Sequence, residues 1–534
     1  MKADSNLTLC LTHSYICKIG DAMKQILRQR LLTEIAMLLF FAALLTGSSY
    51  AACHVVQQGG TGAKTGADWN NALSDLPSSL VRGHIYYMAA GQYGRHTFRD
   101  ADSGQQLIQV RAATASDHCT DTGWNAGTMV GQAVFSCSSA CGAVLNFNTD
   151  YYVFNGQYCT PLPGAAVCTS GFGFKVDNSN KNASADIQGG LGYNGPPDYD
   201  HDITVQYAEV NGAHPTSDSS KLDIGFDFEG GSYNLLFDHV YVHDDWVPFF
   251  LKGNHNHQSG SGYVFGSGDN ITIQYSYWAH NYNSAANHSE GCSCSEGLTN
   301  FTIRYNYIVD MLGTAYIGTP SGADYNNGNG NNGPWSIYGN AFMATSGGIG
   351  SLHCGTGDGM LAAWDTTFSG DVYFLNNTIA NFRGCQAYNN GFGMGLAYTT
   401  PMQHLYSQNN LIWSTDVVTV LNTGVTSWDG ATYTGVNWSY NAWYQIPDGS
   451  ASNDTDSHKQ VSSSNPFVNS GSYNWNLASD TNAGTNTHSL VAGNDVDMNG
   501  VSRGVDGVWD RGAFQISGSP SRPAPPTNLT ATPH

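Results

Sequence analysis

A strand-like segment recurs through the middle of the chain at nearly constant spacing. Its clearest copies begin at Asn234, Asn270 and Asn300, and each alternates apolar with polar residues and is rich in β-branched and aromatic types. This pattern is typical of a strand with one buried face. Alignment on one inward position gives intervals of 32, 36, 30, 34, 37, 33 and 31 residues for the series Val205, Phe237, Ile273, Ile303, Ile337, Phe374, Ser407 and Trp438. Such a period, with almost no helical pattern, predicts stacked coils with one strand repeat in each.

Asparagine recurs at a fixed place in the later coils. It stands three residues after the anchor in five successive coils, at Asn306, Asn340, Asn377, Asn410 and Asn441. Asparagine tolerates the left-handed backbone of a tight turn, and stacked amides can hydrogen-bond along the stack. The sequence therefore predicts an asparagine ladder.

Motifs at both ends of the repeat region specify the architecture further. Residues 65–73 and 83–93 are similar to the opening of secreted bacterial β-helix proteins, and residues 495–504 and 510–514 resemble their closing motif. The chain thus resembles the right-handed parallel β-helix proteins of the pectate-lyase-like superfamily. The resemblance implies an all-β, right-handed parallel β-helix at 113–516, preceded by an N-terminal cap and first coils at 52–112. Trp69, Leu73 and Leu76 lie at helical spacing, and with Asp68 before them they predict a short capping helix.

The first 51 residues have the features of a secretory signal peptide. Basic residues precede an apolar run of 12 residues that begins at Ile35, and small residues follow it, so a cleaved leader is favoured over a membrane anchor. Met23 is a better start for this leader than Met1. We expect a secreted, extracellular protein without a transmembrane segment, which begins near Ala52 or is lipidated at Cys53. The last residues, 517–534, predict a Pro/Ser-rich linker or a truncated C-terminal module.

Ten of the twelve cysteines follow the leader. An even number in an exported chain predicts disulfides, whose pairing the sequence leaves open. Residues 1–51 hold five of the 20 basic and three of the 41 acidic residues, so the mature chain has 15 basic and 38 acidic residues and a net charge of −23. Such a chain does not bind nucleic acid through a general positive field. We expect a monomer whose partner is a polysaccharide.

A row of ionisable residues stands seven positions after three successive anchors. If the register holds, Asp244, His280 and Asp310 form a vertical row, with the two carboxylates roughly 9–10 Å apart across the imidazole. Carboxylates at this separation can flank a sugar and a water, as in inverting glycosidases. Calcium binding with help from loop carbonyls is the alternative for this row.

Residues around this row resemble two kinds of enzyme. Asp244-Asp245 followed by Lys252-Gly253 resembles a segment of polygalacturonase-like glycosidases, although Ile224 stands where their preceding coil has an aspartate. The other chemistry is β-elimination on a uronic acid polymer, for which Lys252 and Arg304 are candidate bases in this superfamily. The neighbouring loops add candidate substrate-binding residues, namely His255, His288, Glu290, Trp246 and Trp278.

A separate motif near the C-terminus has the spacing of a calcium loop. Asp495, Asp497, Asn499 and Asp506 stand at positions 1, 3, 5 and 12, with Gly500 at position 6, as in loops that bind Ca²⁺ through oxygen ligands. The closing motif of the β-helix explains the same residues without a metal. The sequence as a whole favours cleavage of an acidic, uronic acid-containing polysaccharide, by β-elimination or hydrolysis. Non-catalytic carbohydrate binding, as in an adhesin, is the alternative.

Overall fold

The structure is a computed structural model. It describes residues 52–190, 200–213, 223–228, 231–252, 269–281, 291–295, 298–311, 315–319, 333–343, 359–363, 370–380, 405–413, 436–446, 454 and 456–517. All of them except residue 52 belong to one compact unit, Cys53–His534.

Three parallel sheets account for most of the described strands. Sheet 1 has, in spatial order, β1 (Cys53–Val56), β2 (Ile85–Met88), β5 (Ile108–Ala112), β8 (Tyr152–Asn155), β13 (His201–Gln206), β16 (Tyr233–Asp238), β19 (Ile271–Gln274), β22 (Phe301–Arg304), β25 (Trp335–Tyr338), β28 (Val372–Leu375), β30 (Leu405–Gln408) and β32 (Val436–Ser439). Sheet 2 has β3 (Gly91–Tyr93), β6 (Ala133–Ser136), β11 (Phe174–Asp177), β14 (Ala208–Asn211), β17 (Tyr241–His243), β20 (Tyr277–Ala279), β23 (Tyr307–Val309), β26 (Ala341–Met343), β29 (Thr378–Ala380), β31 (Leu411–Trp413), β33 (Ala442–Tyr444) and β34 (Gln460–Ser462). Sheet 3 has β4 (His96–Phe98), β7 (Cys141–Phe147), β12 (Ala183–Gly189), β15 (Ile224–Phe228), β18 (Val247–Lys252), β21 (Cys292–Ser295), β24 (Ala315–Thr319) and β27 (Gly359–Ala363).

The remaining elements are short. Two antiparallel pairs are formed by β9 (Thr160–Pro161) with β10 (Cys168–Ser170) and by β35 (Phe467–Asn469) with β36 (Asn474–Leu477). The helical turns are α1 (Ala126–Met129) and 3₁₀ turns at Trp69–Asn71, Ser470–Ser472 and Ala492–Asp495. Each coil thus runs from sheet 1 to sheet 2, and from there to sheet 3 where that strand is described. The predicted all-β parallel β-helix is confirmed.

The predicted capping helix is shorter than its apolar spacing suggested. Trp69–Asn71 is one 3₁₀ turn, and the backbone is already extended at Ala72. Leu73 instead bridges Val56 at the start of sheet 1. Asp68 makes no side-chain bond to the backbone of the turn; its carboxylate accepts a hydrogen bond from the Asn71 side chain at 2.9 Å. Pairing with the first coil therefore outweighs helical propensity here.

The anchor positions predicted from sequence lie in register along sheet 1. Val205 is paired with Phe237, Phe237 with Ile273, and each later anchor with the next, as far as Trp438. The seven anchors from Val205 to Ser407 are at most 1% exposed. They form one inward stack, and the apolar area that they remove from water is the main favourable contribution to coil stacking.

The asparagine ladder is also present. All five amides are buried, and each Oδ1 from Asn306 to Asn441 accepts a bond from a backbone N–H of the preceding coil at 2.9 or 3.0 Å. The Nδ2 groups of Asn306, Asn340, Asn377 and Asn410 also donate to the next Oδ1 at 3.0 to 3.2 Å. In the coil before Asn306, Ser276 takes the equivalent place, and its hydroxyl accepts a bond from the Val240 N–H.

Four disulfides are formed within the described residues, and they join Cys53 to Cys119, Cys137 to Cys141, Cys159 to Cys168, and Cys292 to Cys294. The other two cysteines of the mature chain, Cys354 and Cys385, lie outside those residues. Among the helices that the structure describes, none is long and apolar enough to cross a membrane.

The C-terminal segment, residues 487–516, folds back over the outer face of sheet 2. It accepts hydrogen bonds from Tyr305 Oη at the carbonyls of Gly493 and Val496, 2.9 and 3.1 Å away. The Gly512 N–H donates to the carbonyl of Asn409 at 2.7 Å. This segment therefore covers outward residues of coils that lie far earlier in the sequence.

The asparagine ladder generates the first prediction. Replacement of Asn377 by Ala leaves the buried backbone N–H of Asn340 and the carbonyl of Ile337 without their partners, and each lost bond of this kind costs about 1–3 kcal/mol. We expect the free energy of unfolding, measured by chemical denaturation, to fall by about 2–5 kcal/mol. The control is Asn437→Ala at an exposed position, for which we expect a change within about 0.5 kcal/mol. Equal effects of the two variants would contradict a stabilising ladder.

Candidate functional site

The predicted row lies at the turn that follows sheet 2. Asp244, His280 and Asp310 directly follow β17, β20 and β23 of that sheet. All three have left-handed backbones, with φ of 60°, 54° and 52°. The Asp244 N–H bonds to the carbonyl that precedes His280, and the His280 N–H bonds to the carbonyl that precedes Asp310, both at 3.3 Å. Backbone hydrogen bonds therefore hold the three residues one above another. We call them the acid–histidine row.

Asp244 and His280 form the accessible part of the row. Asp244 Oδ1 lies 3.9 Å from His280 Nδ1, and the side chains are 27% and 44% exposed. A carboxylate beside a partly exposed imidazole can orient the ring toward a substrate. Asp310, in contrast, is 2% exposed and has other contacts. The arrangement of two exposed carboxylates that flank a sugar is therefore not formed by Asp244 and Asp310.

A chain of alternating charges extends from Asp244 to the preceding coils. Asp244 Oδ2 lies 2.7 Å from His243 Nδ1, and His243 Nε2 lies 3.5 Å from Glu209 Oε1. Glu209 Oε1 accepts a bond from Lys175 Nζ at 2.8 Å. We call Lys175, Glu209, His243, Asp244 and His280 the charged chain. Its members come from β11, β14, β17 and the two turns that follow β17 and β20.

Burial and ion pairing oppose one another within the charged chain. Burial alone would lower the pKa of His243, but the carboxylates of Asp244 and Glu209 outweigh it, so the pKa is raised above 6.5. Burial would raise the pKa of Glu209, yet His243, Lys175 and Gln132 bring it down to about 2. At neutral pH Glu209 is therefore ionised, and the protonated form of His243 is favoured between two carboxylates.

Three members of the charged chain were missed in the sequence, namely Lys175, Glu209 and His243. Glu209 and His243 stand four and six positions after the anchors Val205 and Phe237, so the repeat alignment could have found them. Lys175 could not be placed in this way, because it precedes the regular coils. Its position follows from the pairing of Lys175 with Glu209 between β11 and β14.

Two of the predicted site residues are held within the protein, Arg304 half-buried and Trp278 fully buried. Each of the three guanidinium nitrogens of Arg304 is hydrogen-bonded, to Gln274 Oε1 at 2.8 and 2.6 Å and to Tyr338 Oη at 3.0 Å. The C-terminal segment also passes over Arg304 at Gly493. Trp278 is fully buried against Phe249. The prediction that Trp278 binds substrate is wrong, because the alternation of inward and outward residues shifts at the turn between β19 and β20 and directs this side chain into the core.

Of the remaining predicted site residues, the structure describes Trp246 and the backbone of Lys252. Trp246 is half-buried at the same turn, and its backbone N–H donates to the carbonyl of Asp223 at 3.0 Å. Lys252 ends β18, on the neighbouring sheet. His255, His288 and Glu290 lie outside the described residues. Their placement at the site stays a prediction.

The four residues of the predicted calcium loop have partners within the protein. Asp497 accepts bonds from the backbone N–H groups of Asn499, Val501 and Gln515 at 2.8 to 2.9 Å. The Asn499 amide donates to the carbonyl of Gly164, and Asp495 pairs with His488. In the described part of the chain, the three carboxylates that approach within 4.8 Å of one another are Asp480, Asp506 and Asp510, so Asp506 is the one predicted ligand that belongs to this group. Calcium stays a prediction for this protein.

Comparisons with known proteins find weak similarity to solved structures and no significant match by sequence. A scan of protein-family models finds no match, and a search of curated proteins finds no significant relative. Among solved structures, an alginate lyase from Paenibacillus sp. str. FPU-7 is similar over 71% of this chain and 89% of its own, with 12% identity and a TM-score of 0.35. The PL6 family polysaccharide lyase Pedsa3628 from Pseudopedobacter saltans covers 72% of this chain and 89% of its own, with 12% identity and a TM-score of 0.23. Likenesses at this level carry no argument about the site.

The charged chain generates a pH-dependent prediction. The raised pKa of His243 stabilises the fold fully below pH 6.5, and this contribution is lost as pH rises through the raised value. The lowered pKa of Glu209 stabilises the fold above pH 4.5, and that contribution is lost as pH falls toward about 2. We expect Glu209→Gln to lower the His243 pKa and to decrease the free energy of unfolding most between about pH 4.5 and 6.5.

The measurements are NMR titration of the histidine ring protons and denaturation at several pH values. Asp121→Asn is the matched control, since it removes a similar contact with His118 at a carboxylate that is 98% exposed. A His243 pKa that does not move in Glu209→Gln would show that the charged chain does not exist in solution.

Proposed function

We propose that this protein binds an acidic polysaccharide along the acid–histidine row and cleaves it, with Asp244 and His280 as the acid–base pair. The proposal rests on the contact between Asp244 and the half-exposed imidazole of His280. Asp244 is itself held by His243, whose Nδ1 lies 2.7 Å from its other carboxylate oxygen. A general acid or base must be exposed to the substrate and held in a fixed orientation. Both side chains of the Asp244–His280 pair are partly exposed, and Asp244 is oriented by its 2.7 Å contact with His243.

The setting of the pair supports a polymer as substrate. Stacked coils form an elongated surface along which successive sugar units can lie, and the half-buried Trp246 at the same turn offers an aromatic face for a sugar ring. Lys175 and His243 are paired with Glu209 and Asp244, which leaves His280, with a side chain that is 44% exposed, as the accessible basic side chain of the charged chain. A ring N–H of His280 that donates to a carboxylate favours a uronate over a neutral sugar. The disulfides and the leader-like N-terminus support action outside the cell.

Two reactions are compatible with this pair. In β-elimination, His280 would take the proton from C5 next to the uronate carboxyl, the bond from C4 to the glycosidic oxygen would break and a C4=C5 double bond would form. The leaving oxygen would then take a proton from His280 or from water, while Asp244 orients the imidazole ring. In hydrolysis, His280 or Asp244 would exchange protons with the leaving oxygen and a water. Lys252, the base proposed from the family resemblance, remains a further candidate for the elimination. Arg304 is a weaker one because its nitrogens are already bonded.

Incubation with a panel of polysaccharides tests the proposal. New ends that carry the ultraviolet absorbance of an unsaturated sugar would identify a lyase, and reducing ends alone would identify a hydrolase. Binding without new ends would favour the non-catalytic alternative, an adhesin or carbohydrate-binding protein. Absence of both binding and cleavage across neutral and acidic polymers would contradict the proposal.

Variants of the pair give the quantitative prediction. We expect Asp244→Asn and His280→Gln to reduce kcat on a cleaved polysaccharide by about 100-fold or more, as loss of a general acid or base does. The melting temperature of His280→Gln should stay close to that of the parent because the side chain is partly exposed. Asp244→Asn also removes the carboxylate that pairs with His243, so for this variant kcat is compared at a temperature well below its melting temperature. The exposed Asp121→Asn is the control and should retain parental kcat. Parental turnover in both pair variants would exclude this row as the active site.

A further inference from the structure

Three fully buried carboxyl groups lie in successive coils, next to the Asp244 end of the acid–histidine row. They belong to Asp186 on β12, Asp223 just before β15 and Asp245 just after Asp244, and each residue is 0% exposed. Lys181, in the turn between β11 and β12, lies among them, with its Nζ 3.4 Å from Asp223 Oδ1. We call these four residues the buried acid cluster.

Hydrogen-bond donors for these carboxyl groups are scarce. Both oxygens of Asp186, both oxygens of Asp245 and Oδ1 of Asp223 are buried without a hydrogen-bond partner. Oδ2 of Asp223 accepts a bond from the Ala213 N–H at 2.6 Å. An ionised carboxylate buried without donors is strongly unfavourable, and one lysine neutralises only one of three charges. Two of the carboxyl groups therefore require either a proton or a cation.

The packing around Asp245 favours protons over a cation. A Cβ on Gly212 would lie 2.4 Å from Asp245 Oδ1, and one on Gly225 would lie 3.0 Å from Oδ2, so glycine backbone closes around the carboxyl. In the described part of the chain, the three residues whose potential metal-ligand atoms all lie within 4.8 Å of one another are Asp480, Asp506 and Asp510, and none of them belongs to the buried acid cluster. The cluster therefore does not present three converging ligands to one ion.

We propose that Asp186 and Asp245 are held protonated near neutral pH while Lys181 neutralises Asp223. The cluster then carries no net charge directly beneath Asp244, so it does not repel an acidic polysaccharide on the row. Loss of these protons at alkaline pH places negative charge next to Asp244 and lowers the activity of the acid–base pair, which sets the alkaline limit of the pH–rate profile. This last step rests on the proposed function, whereas the protonation state does not.

The electrostatics of the surrounding elements agree with this assignment. Burial is the main cause that raises the pKa of both Asp186 and Asp245 well above 3.8. Repulsion adds to it at Asp245, first from Asp186, then from Asp223 and Asp244, and a side-chain contact with Asp186 raises the Asp245 pKa further. At Asp186, repulsion from Asp223 and Asp177 raises the pKa, against the opposing contacts with the side chains of Asn178 and Asp245. Burial also lowers the pKa of Lys181, against the opposing attraction of Asp223, Asp186 and Asp245.

The sign of the resulting pH dependence is fixed. Between pH 3.8 and the raised pKa values, the folded protein holds protons that the unfolded chain has released, so stability falls as pH rises. We expect the stability of Asp245→Asn relative to the parent, followed by the melting temperature, to increase from about pH 5 to about pH 9. The slope of the difference in free energy of unfolding against pH should correspond to about one proton per molecule. Asp186→Asn should behave in the same way, and Asp121→Asn should show no such trend.

Infrared spectroscopy of the parent protein provides an independent readout. A protonated carboxyl band present at neutral pH, lost on alkaline titration and weakened in either variant, is the expected result. Its absence from the parent at neutral pH would overturn the proposal even if neither variant folds. Stabilisation of the parent by added CaCl₂ that Asp245→Asn abolishes would also overturn it, in favour of a cation site.

Activity measurements separate this inference from the proposed function. On a polysaccharide that is cleaved, we expect the alkaline limb of the pH–rate profile to move to higher pH in Asp245→Asn. If no polysaccharide is cleaved but the stability and infrared results appear, the proposed function fails and the protonated cluster stands. If cleavage occurs with an unshifted alkaline limb, the cluster's influence on the row is excluded.

Discussion

The in-register hydrogen bonding between coils is the constraint on which the rest of this structure depends. Parallel strands place each residue beside its counterpart one coil away. A residue type that recurs at the same position of successive coils therefore forms a continuous row along the stack. The inward anchors then form an apolar column, and the asparagines form a buried ladder. The left-handed turn residues that follow sheet 2 are stacked in the same way, so Asp244, His280 and Asp310 lie close together although they span 66 residues of sequence.

Two layers of ionisable groups follow from this arrangement at a single corner. The left-handed turn presents Asp244 toward solvent and sends the next residue, Asp245, into the protein. The outer layer is balanced by alternation of basic and acidic groups from Lys175 to His280. The inner layer has more carboxyl groups than cations, and protons supply the difference. A site with an ionised surface and an uncharged floor suits a substrate that is itself an anion.

The repeat could be predicted from sequence because a strand period and an inward anchor are local patterns. Register predicted the acid–histidine row for the same reason. Long-range packing was not predictable: Arg304 is covered by a segment about 190 residues later in the chain. Trp278 was misplaced because two-residue alternation changes at the corner of a coil. The spacing of Asp495, Asp497 and Asn499 fits a calcium loop, but spacing does not show that backbone N–H groups already occupy the Asp497 oxygens.

The location of a bound oligosaccharide would test the central claim most directly. The measurement is a crystal structure of Asp244→Asn soaked with short oligouronates, since this variant should bind substrate without cleaving it. The account predicts sugar density along the sheet 2 corner, with a ring beside His280 and Trp246 and a uronate carboxylate near the basic groups of the charged chain. Ordered sugar on another face of the β-helix, with the corner empty, would contradict it.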